Sequence, residues 1–407
     1  MDTMLLAHLL DEELLSYKLD YLGNLYLGMG KLRSKDFIHY VKSYGWDSVV
    51  VELMYDYAMF DAHLTYKLYE YLAPKLQAEK LQQVWAEKCK FVRLVMGMEL
   101  RGVRIDTELA KQKIIEGEAA LLETSAKLGG FNPASIKDNE RLFIHQLGLP
   151  VVTKERKSKE KATISFDKTT MELYDEILES RDDASAKLAL TYRGWSKSVS
   201  SNYRPYLNLL SPDGRLRPGY KLHGTKTGRM SCANPNLQQI PRSGNKPWNG
   251  VMKRCFIPED GYELWEFDYA QLELRIGAAY AEEKSLLKIF EEDRDVFTEM
   301  ATALNMARYD AKTLNYSLAY GAGLDRISNV FHVSREQAGR IRDNYFDTYP
   351  GFKRASEYAQ RLAKRHKRIR LWTGRYRHFN HPSQEHKAFN SIIQGGAADF
   401  VEYIMLK

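Results

Sequence analysis

Leu264-Trp265-Glu266-Phe267-Asp268-Tyr269 sets Trp265, Phe267 and Tyr269 in alternation with Leu264, Glu266 and Asp268, then leads into Leu272, Ile276 and Ala279 at helical spacing. A period of two marks a strand and a period near 3.6 a helix, so the pattern predicts a strand carrying Asp268 near its C-terminal end, followed at once by a helix. A carboxylate held between two regular elements has the fixed geometry that suits a metal ligand. Forty residues after Asp268 stand Arg308, Lys312, Tyr316 and Tyr320, each four positions from the last. Each four-residue step turns about 40° beyond a full circle of helix, so neighbours share a face. Two cations one turn apart can clamp a polyphosphate, and a phenol further along the same face can lie against a sugar and base. The two segments together describe a nucleoside triphosphate site beside a carboxylate. Strand acids and Lys- and Tyr-rich helix faces also occur on ordinary solvated surfaces, so the conjunction carries the reading.

At 407 residues and 44% hydrophobic content the chain is long enough for two to four domains with buried cores. Lys plus Arg outnumber Asp plus Glu by 60 to 53, a net charge of +7 that favours a polyanionic partner, with nucleic acid the natural candidate. Cys89, Cys232 and Cys255 are too scattered for a CxxC site, and their odd number is no disulfide framework, which implies a reducing interior. Asp2 stands where a secretory leader would be basic, His8 breaks the apolar stretch Met4 to Leu10, and no apolar run reaches membrane-spanning length. The expectation is a non-secreted, cytoplasmic protein that does not span a membrane. No internal repeat or low-complexity tract is evident.

Four further segments stand in order with the first two: Tyr57-x3-Asp61; Met98-Glu99-Leu100-Arg101-Gly102-Val103-Arg104-Ile105-Asp106; Thr225-Lys226-Thr227-Gly228-Arg229-Met230-Ser231 running on to Pro235-Asn236-Leu237-Gln238-Gln239-Ile240-Pro241; and Asn390-x3-Gln394-Gly395-Gly396-Ala397-Ala398-Asp399. The six together resemble the family A DNA polymerases, the bacterial polymerase I type, and within them the bacteriophage branch. The resemblance spans nearly the whole chain and implies an α+β right-hand fold of thumb, palm and fingers, truncated at both ends. On it, residues 1–85 form a helical C-terminal remnant of a 3′-5′ exonuclease domain, with Pro74 interrupting its helical pattern near the end. Residues 86–210 form a linker helix, the first palm strand and the thumb. Residues 211–283 form the palm, 284–378 the fingers, and 379–407 a palm return. Two basic runs, Lys154 to Lys161 and Lys364 to Arg370, read as solvated surface, with duplex phosphate contacts as a further role for the first.

The resemblance also implies roles. Primer extension attacks the α-phosphate with the primer 3′ hydroxyl and calls for two Mg²⁺ ions and hard oxygen ligands. Asp268 matches the first metal-binding aspartate, and the backbone carbonyl of Tyr269 would add an oxygen. For the incoming dNTP the matches are Gln271, Glu273, Arg308, Lys312, Tyr316 and Tyr320. Glu273 would be the steric gate against a ribose 2′ hydroxyl, which separates this family from the single-subunit RNA polymerases. Arg308 and Lys312 would hold the triphosphate, with Lys312 also counted as catalytic, and Tyr320 would stack near the templating position. Tyr316 would let its hydroxyl stand in for the missing 3′ hydroxyl of a dideoxynucleotide. Arg229 would read the primer-terminal minor groove, where base acceptors are similar for every correct pair. Asn236, Gln238, Arg242, Asn390 and Gln394 would contact the duplex. Phe297 and His386 depart from the His and Arg common in the family, which implies a different arrangement of phosphate contacts. His378, His381 and His386 lack a supporting ligand pattern and read as surface histidines.

The family's second palm aspartate, in a His-Asp-Glu hairpin, is not among residues 1–407, and Tyr57 and Asp61 match only the third proofreading motif. The expectation is therefore an incomplete palm, a two-ion Mg²⁺ site short of one ligand, and neither proofreading nor unaided polymerisation. Its partners would be primer-template DNA and dNTPs, with a complementary polymerase fragment or a processivity factor. The alternatives are one part of a split polymerase and a noncatalytic module that binds primer-template and nucleotide.

Overall fold

Leucine spacing organises the start of the chain. Leu64, Leu68, Leu72 and Leu76 recur every four residues along the helix Val51–Ala78 and are buried with Leu6, Leu9 and Leu22 from the helices Thr3–Leu10 and Leu19–Leu27. Asp2 fixes the first helix by accepting from the Met4 and Leu5 amides at 2.9 and 3.1 Å. Pro74 does not interrupt the long helix, which continues to Ala78. An internal proline costs about 3 kcal/mol in lost hydrogen bonding and ring clash, and burying two leucines on either side offsets it at about 2 kcal/mol each.

The computed structural model describes residues 2–30, 34–49, 51–154, 163–241, 244, 246–319 and 321–407. The chain divides into two compact units: Met1–Met96 with Lys221–Ser231 and Phe267–Lys407, and Gly97–Tyr220 with Cys232–Glu266. The basic run after Lys154 lies outside the described residues.

The first unit has a second core beside the leucine-rich one. It buries Leu274, Phe297, Met300, Leu314, Ile327, Tyr345, Phe352, Phe389 and Ile392, drawn from helices between Leu272 and Met405. Asp295 caps the helix Val296–Leu304 through the Thr298 amide at 2.7 Å, and Ser334 with Gln337 forms a capping box on Arg335–Thr348. The buried Tyr345 hydroxyl donates to Asn315 Oδ1 at 2.7 Å, tying Arg335–Thr348 to Arg308–Ala319. A hairpin pairs Arg368–Arg370 with Tyr376–His378.

In the second unit the strand Val103–Ile105 lies between Arg215–Leu216 and Phe256–Ile257, antiparallel to both. Asp106 then accepts from the Leu109 amide at 2.9 Å and starts the helix Thr107–Lys127. Ile105, Tyr203, Tyr206, Leu216, Met252 and Cys255 fill the core beside this sheet, and Phe131, Phe143, Met171 and Tyr174 belong to a separate one.

The strand expected over Leu264 to Asp268 does not form. Residues 262–269 take no regular conformation, and Leu264, Trp265 and Phe267 are 57%, 75% and 88% exposed. Alternation stabilises a strand when one face is covered, and here both sets of side chains face outward. The helix that follows, Leu272–Tyr280, forms where its spacing puts it.

Candidate functional site

Arg308, Lys312 and Tyr316 lie along the helix Arg308–Ala319 at four-residue intervals, and all three line an open cavity of about 690 Å³. Ala311 and Leu314 bury the opposite face, which fixes the rotation of the helix and turns the two cations outward. Tyr320 lies outside the described residues. Tyr309, Thr313, Ser317 and Arg326 complete the lining. Arg326, from the helix Leu324–Phe331, is a third cation that the sequence reading missed, since nothing in its local pattern links it to the first two.

Phe297, only 3% exposed, lies beneath these cations. The Arg308 guanidinium and the Lys312 ammonium stand 5.8 and 5.6 Å from its ring centroid, and the Tyr316 ring is 6.0 Å away. The ring face attracts both charges. Arg308 also donates to both oxygens of Asp295, at 3.2 and 2.6 Å. That hydrogen bond, helped by the Thr298 amide, holds the Asp295 carboxyl well below the usual carboxylate range.

Burial raises the Tyr316 phenol above its ordinary pKa, and the charge of Asp268 adds to the rise, so the carboxylate is within electrostatic reach of the cavity. Tyr316 and Glu273 also line a tight cleft with Gly277, Asn315 and Phe352. Glu273 pairs with the Arg229 guanidinium, which links the Thr225–Ser231 segment to the start of the helix Leu272–Tyr280. Gln271 precedes that helix in the left-handed region at φ 48°.

Asp268 belongs to the exposed, irregular segment, so the rigid strand platform expected for it is not present. The end of the segment is tied down. The Tyr269 ring meets Phe400 edge-on at 5.3 Å, and the Ala270 carbonyl accepts from Arg275 Nε at 3.0 Å. Asp268 and the Tyr269 carbonyl are hard oxygen donors on an accessible stretch near a cation-lined cavity, a donor set that fits Mg²⁺.

Asn390 and Gln394 share one face of the helix Ala388–Met405. Asn390 Oδ1 is buried and has no hydrogen-bond partner among the described residues, which gives it an unused acceptor. Asn236 and Gln238 belong to the second unit. There Asn236 Oδ1 accepts from the Gln238 amide at 3.1 Å and caps the short turn Leu237–Gln239, a structural duty the sequence did not suggest. Arg242 lies outside the described residues. Tyr57 and Asp61 are one turn apart on Val51–Ala78, and Tyr57 stacks on Phe37 at 4.3 Å.

His378 is not an ordinary surface histidine. With Asp11 and Glu12 it forms a group whose potential ligand atoms lie within 4.8 Å of one another. Its chemistry is that of an ion pair. Glu12 accepts from Arg377 Nη1 at 2.9 Å and from the His378 amide at 2.5 Å, and its second oxygen lies 2.9 Å from His378 Nδ1. Burial alone would raise the Glu12 carboxyl, but the His378 hydrogen bond and the charges of His378 and Arg377 bring it down to about 2. The carboxylate is thus fully engaged beside a guanidinium that would repel a metal cation. His381 and His386 are exposed, as expected.

Another residue missed from sequence is Arg375, 4% exposed, whose guanidinium donates to the Thr227 carbonyl at 2.8 Å. The tripeptide Thr373-Gly374-Arg375, which repeats Thr227-Gly228-Arg229, was the one available signal.

The sequence profile described as DNA polymerase family A matches residues 105–407. The DNA polymerase I of Borreliella burgdorferi is 28% identical over 433 aligned residues, covering 100% of this chain and 46% of the relative. The thermostable DNA polymerase I of Thermus filiformis is 31% identical over 372 residues, covering 85% and 43% respectively. The chain therefore spans under half the length of these curated relatives. Among solved structures, the polymerase domain of Pol1 from M. smegmatis, in complex with DNA primer-template and dNTP, superposes with a TM-score of 0.84 at 22% identity, covering 100% of this chain and 70% of that one. That likeness gives the fold, an α+β polymerase architecture. No helix of the described residues is long and apolar enough to cross a membrane.

Proposed function

Since this chain belongs to the family A DNA polymerases, we propose that residues 1–407 form the nucleotide- and primer-binding body of a DNA-directed DNA polymerase, which transfers nucleotidyl groups from dNTPs to a primer 3′ end. The observation that carries the proposal is the convergence of Arg308, Lys312 and Tyr316 on one open cavity, with Glu273 packed beside Tyr316. The cations would bind the triphosphate. Tyr316 would lie against the sugar, and Glu273 would deny space to a 2′ hydroxyl.

Asp268 and the Tyr269 carbonyl would hold Mg²⁺. Divalent ions bound there would help to activate the primer hydroxyl and to neutralise charge on the departing pyrophosphate. Two-ion chemistry calls for a further carboxylate, which a segment of the family's His-Asp-Glu type would supply. Arg229 would read the primer-terminal pair, with Asn390 and Gln394 contacting the duplex. Tyr57 and Asp61 are assigned to the third motif of a 3′-5′ exonuclease, and Gln271 to the dNTP site. Tyr320, Arg242, Asn236 and Gln238 keep their assignments as proposals, resting on motif position alone.

Primer extension in Mg²⁺, with and without a separately expressed family-type segment carrying His-Asp-Glu, tests the reading against an Asp268→Ala control. Extension with that segment present, lost in the control, is the expected result. Extension that survives Asp268→Ala overturns the metal assignment. One observation favours a second reading, a noncatalytic primer-template module: the segment carrying Asp268 is irregular and exposed. Tight primer-template binding with no rescue of extension would support it.

A further inference from the structure

The segment Thr225–Arg229 is gripped from two sides by groups that no motif assigns. The Thr225 carbonyl faces His8 Nε2 at 3.1 Å, and since a carbonyl only accepts, Nε2 carries the proton. His8 comes from the helix Thr3–Leu10, which precedes the residues matched by the family profile. On the other side Arg375 Nη2 donates to the Thr227 carbonyl at 2.8 Å. Arg375 is itself held by Asp399, with Nε–Oδ1 at 3.1 Å and Nη2–Oδ1 at 3.0 Å, and Asp399 accepts from Thr373 Oγ1 at 2.6 Å. Both partners of this pair are at least nine-tenths buried.

Two glycines make the fit possible. Gly228 has φ +86°, and a Cβ there would stand 2.7 Å from Arg375 Nη2. A Cβ on Gly395 would meet Leu371 at 2.7 Å and the same Nη2 at 3.2 Å. The planar guanidinium therefore lies flat against Gly228, the residue next to Arg229. Thr225 Oγ1 closes the turn by donating to the Arg229 carbonyl at 2.7 Å. With both carbonyls that flank Lys226 held, the Arg229 backbone is fixed and its side chain alone is left to change partners.

We propose that His8 and Arg375 are positioning residues for Arg229: they fix the Thr225–Gly228 backbone so that the Arg229 guanidinium is presented to the primer-terminal base pair from one place. The helix Thr3–Leu10 is thereby part of the primer-reading apparatus. The proposal rests on the reading of Arg229 given above. Arg375 suits the task because a rigid fork can serve a carboxylate and a carbonyl together, which a lysine cannot.

The test uses the full chain and two measurements. The first is anisotropy binding of primer-template with a matched or mismatched terminal pair. Arg229→Ala tests the reading itself and is expected to abolish the preference for the matched end. His8→Leu and Arg375→Lys are each expected to reduce that preference about fivefold or more, the size of one lost hydrogen bond, while affinity for blunt duplex is unchanged. His8→Gln, which keeps a donor at the Nε2 position, restores it. A preference that falls in Arg229→Ala but not in His8→Leu or Arg375→Lys overturns the proposal.

The second measurement is the rate of tryptic cutting after Lys226 and Arg229, which needs no DNA. Faster cutting at these bonds in His8→Leu and Arg375→Lys, with His8→Gln like wild type and cutting elsewhere unchanged, supports the positioning claim even if Arg229→Ala shows that the primer-reading role is wrong. Unchanged cutting overturns it.

Discussion

Acid should loosen the N-terminal helix through one histidine. Burial lowers the His8 pKa from 6.5 to about 4, with the Arg375 and Lys88 charges helping and the Thr225 hydrogen bond and Glu12 opposing. Because the folded value lies below the unfolded one, the unfolded chain takes up the proton first. The stabilisation is complete above the unfolded pKa near 6.5 and is lost as the pH falls through the window down to about 4. A gap of about 2.5 units at 1.36 kcal/mol per unit is about 3 kcal/mol, of which about 2 kcal/mol should be gone by about pH 4.5.

His8→Gln provides the comparison, since it keeps a donor for Thr225 and does not titrate. Urea unfolding of both proteins, followed by circular dichroism at about pH 7 and about pH 4.5, should show wild type losing about 2 kcal/mol more than the variant. Glu12 does not confuse the comparison. Its carboxyl is depressed from 4.5 to about 2, so its contribution is lost mainly below about pH 4.5, and both proteins carry it. Parallel losses in the two proteins would refute the reasoning, because they would mean that His8 is already solvated or charged in the folded state.

Asp295→Ser should keep the cap on Val296–Leu304 while releasing Arg308 from an exposed pair, so dNTP affinity by titration calorimetry should rise by up to about fivefold. Gly228→Ala should cost about 1–3 kcal/mol in thermal unfolding, since it strains a φ of +86° and pushes Arg375 off the Thr227 carbonyl. In an active assembly containing this chain, Tyr316→Phe should reduce dideoxynucleotide incorporation about tenfold relative to dNTP, the value of one hydroxyl contact. Equal use of dideoxynucleotides by both proteins in single-nucleotide extension would remove the Tyr316 hydroxyl from that role.

Periodicity made faces legible and left partners hidden. Arg308, Lys312 and Tyr316 could be read as one surface because a helix closes its hydrogen bonds within its own segment, so spacing along the chain is enough. The Leu264–Asp268 alternation could not be read so far, since a strand depends on what covers and pairs with it, and those side chains are exposed. The same limit hid Arg375. Its bond to Thr227 crosses 148 residues and His8's bond to Thr225 crosses 217, distances over which no local pattern points. Phe297 shows a related limit. Judged one residue at a time it is a histidine lost from a phosphate site, yet in place its ring lies under Arg308 and Lys312 and holds their charges toward the cavity. Motif positions therefore pointed to side chains that line the cavity, while the side chains that hold their neighbours in place became visible only through burial. His8, Glu12, Arg375 and Asp399 each have a charged or hydrogen-bonding group withdrawn from water, a cost that is offset only where partners are fixed. Such a network around Thr225–Arg229 makes that backbone stiff, and a stiff backbone is what a side chain needs if it is to respond to the geometry of a base pair and not to its sequence.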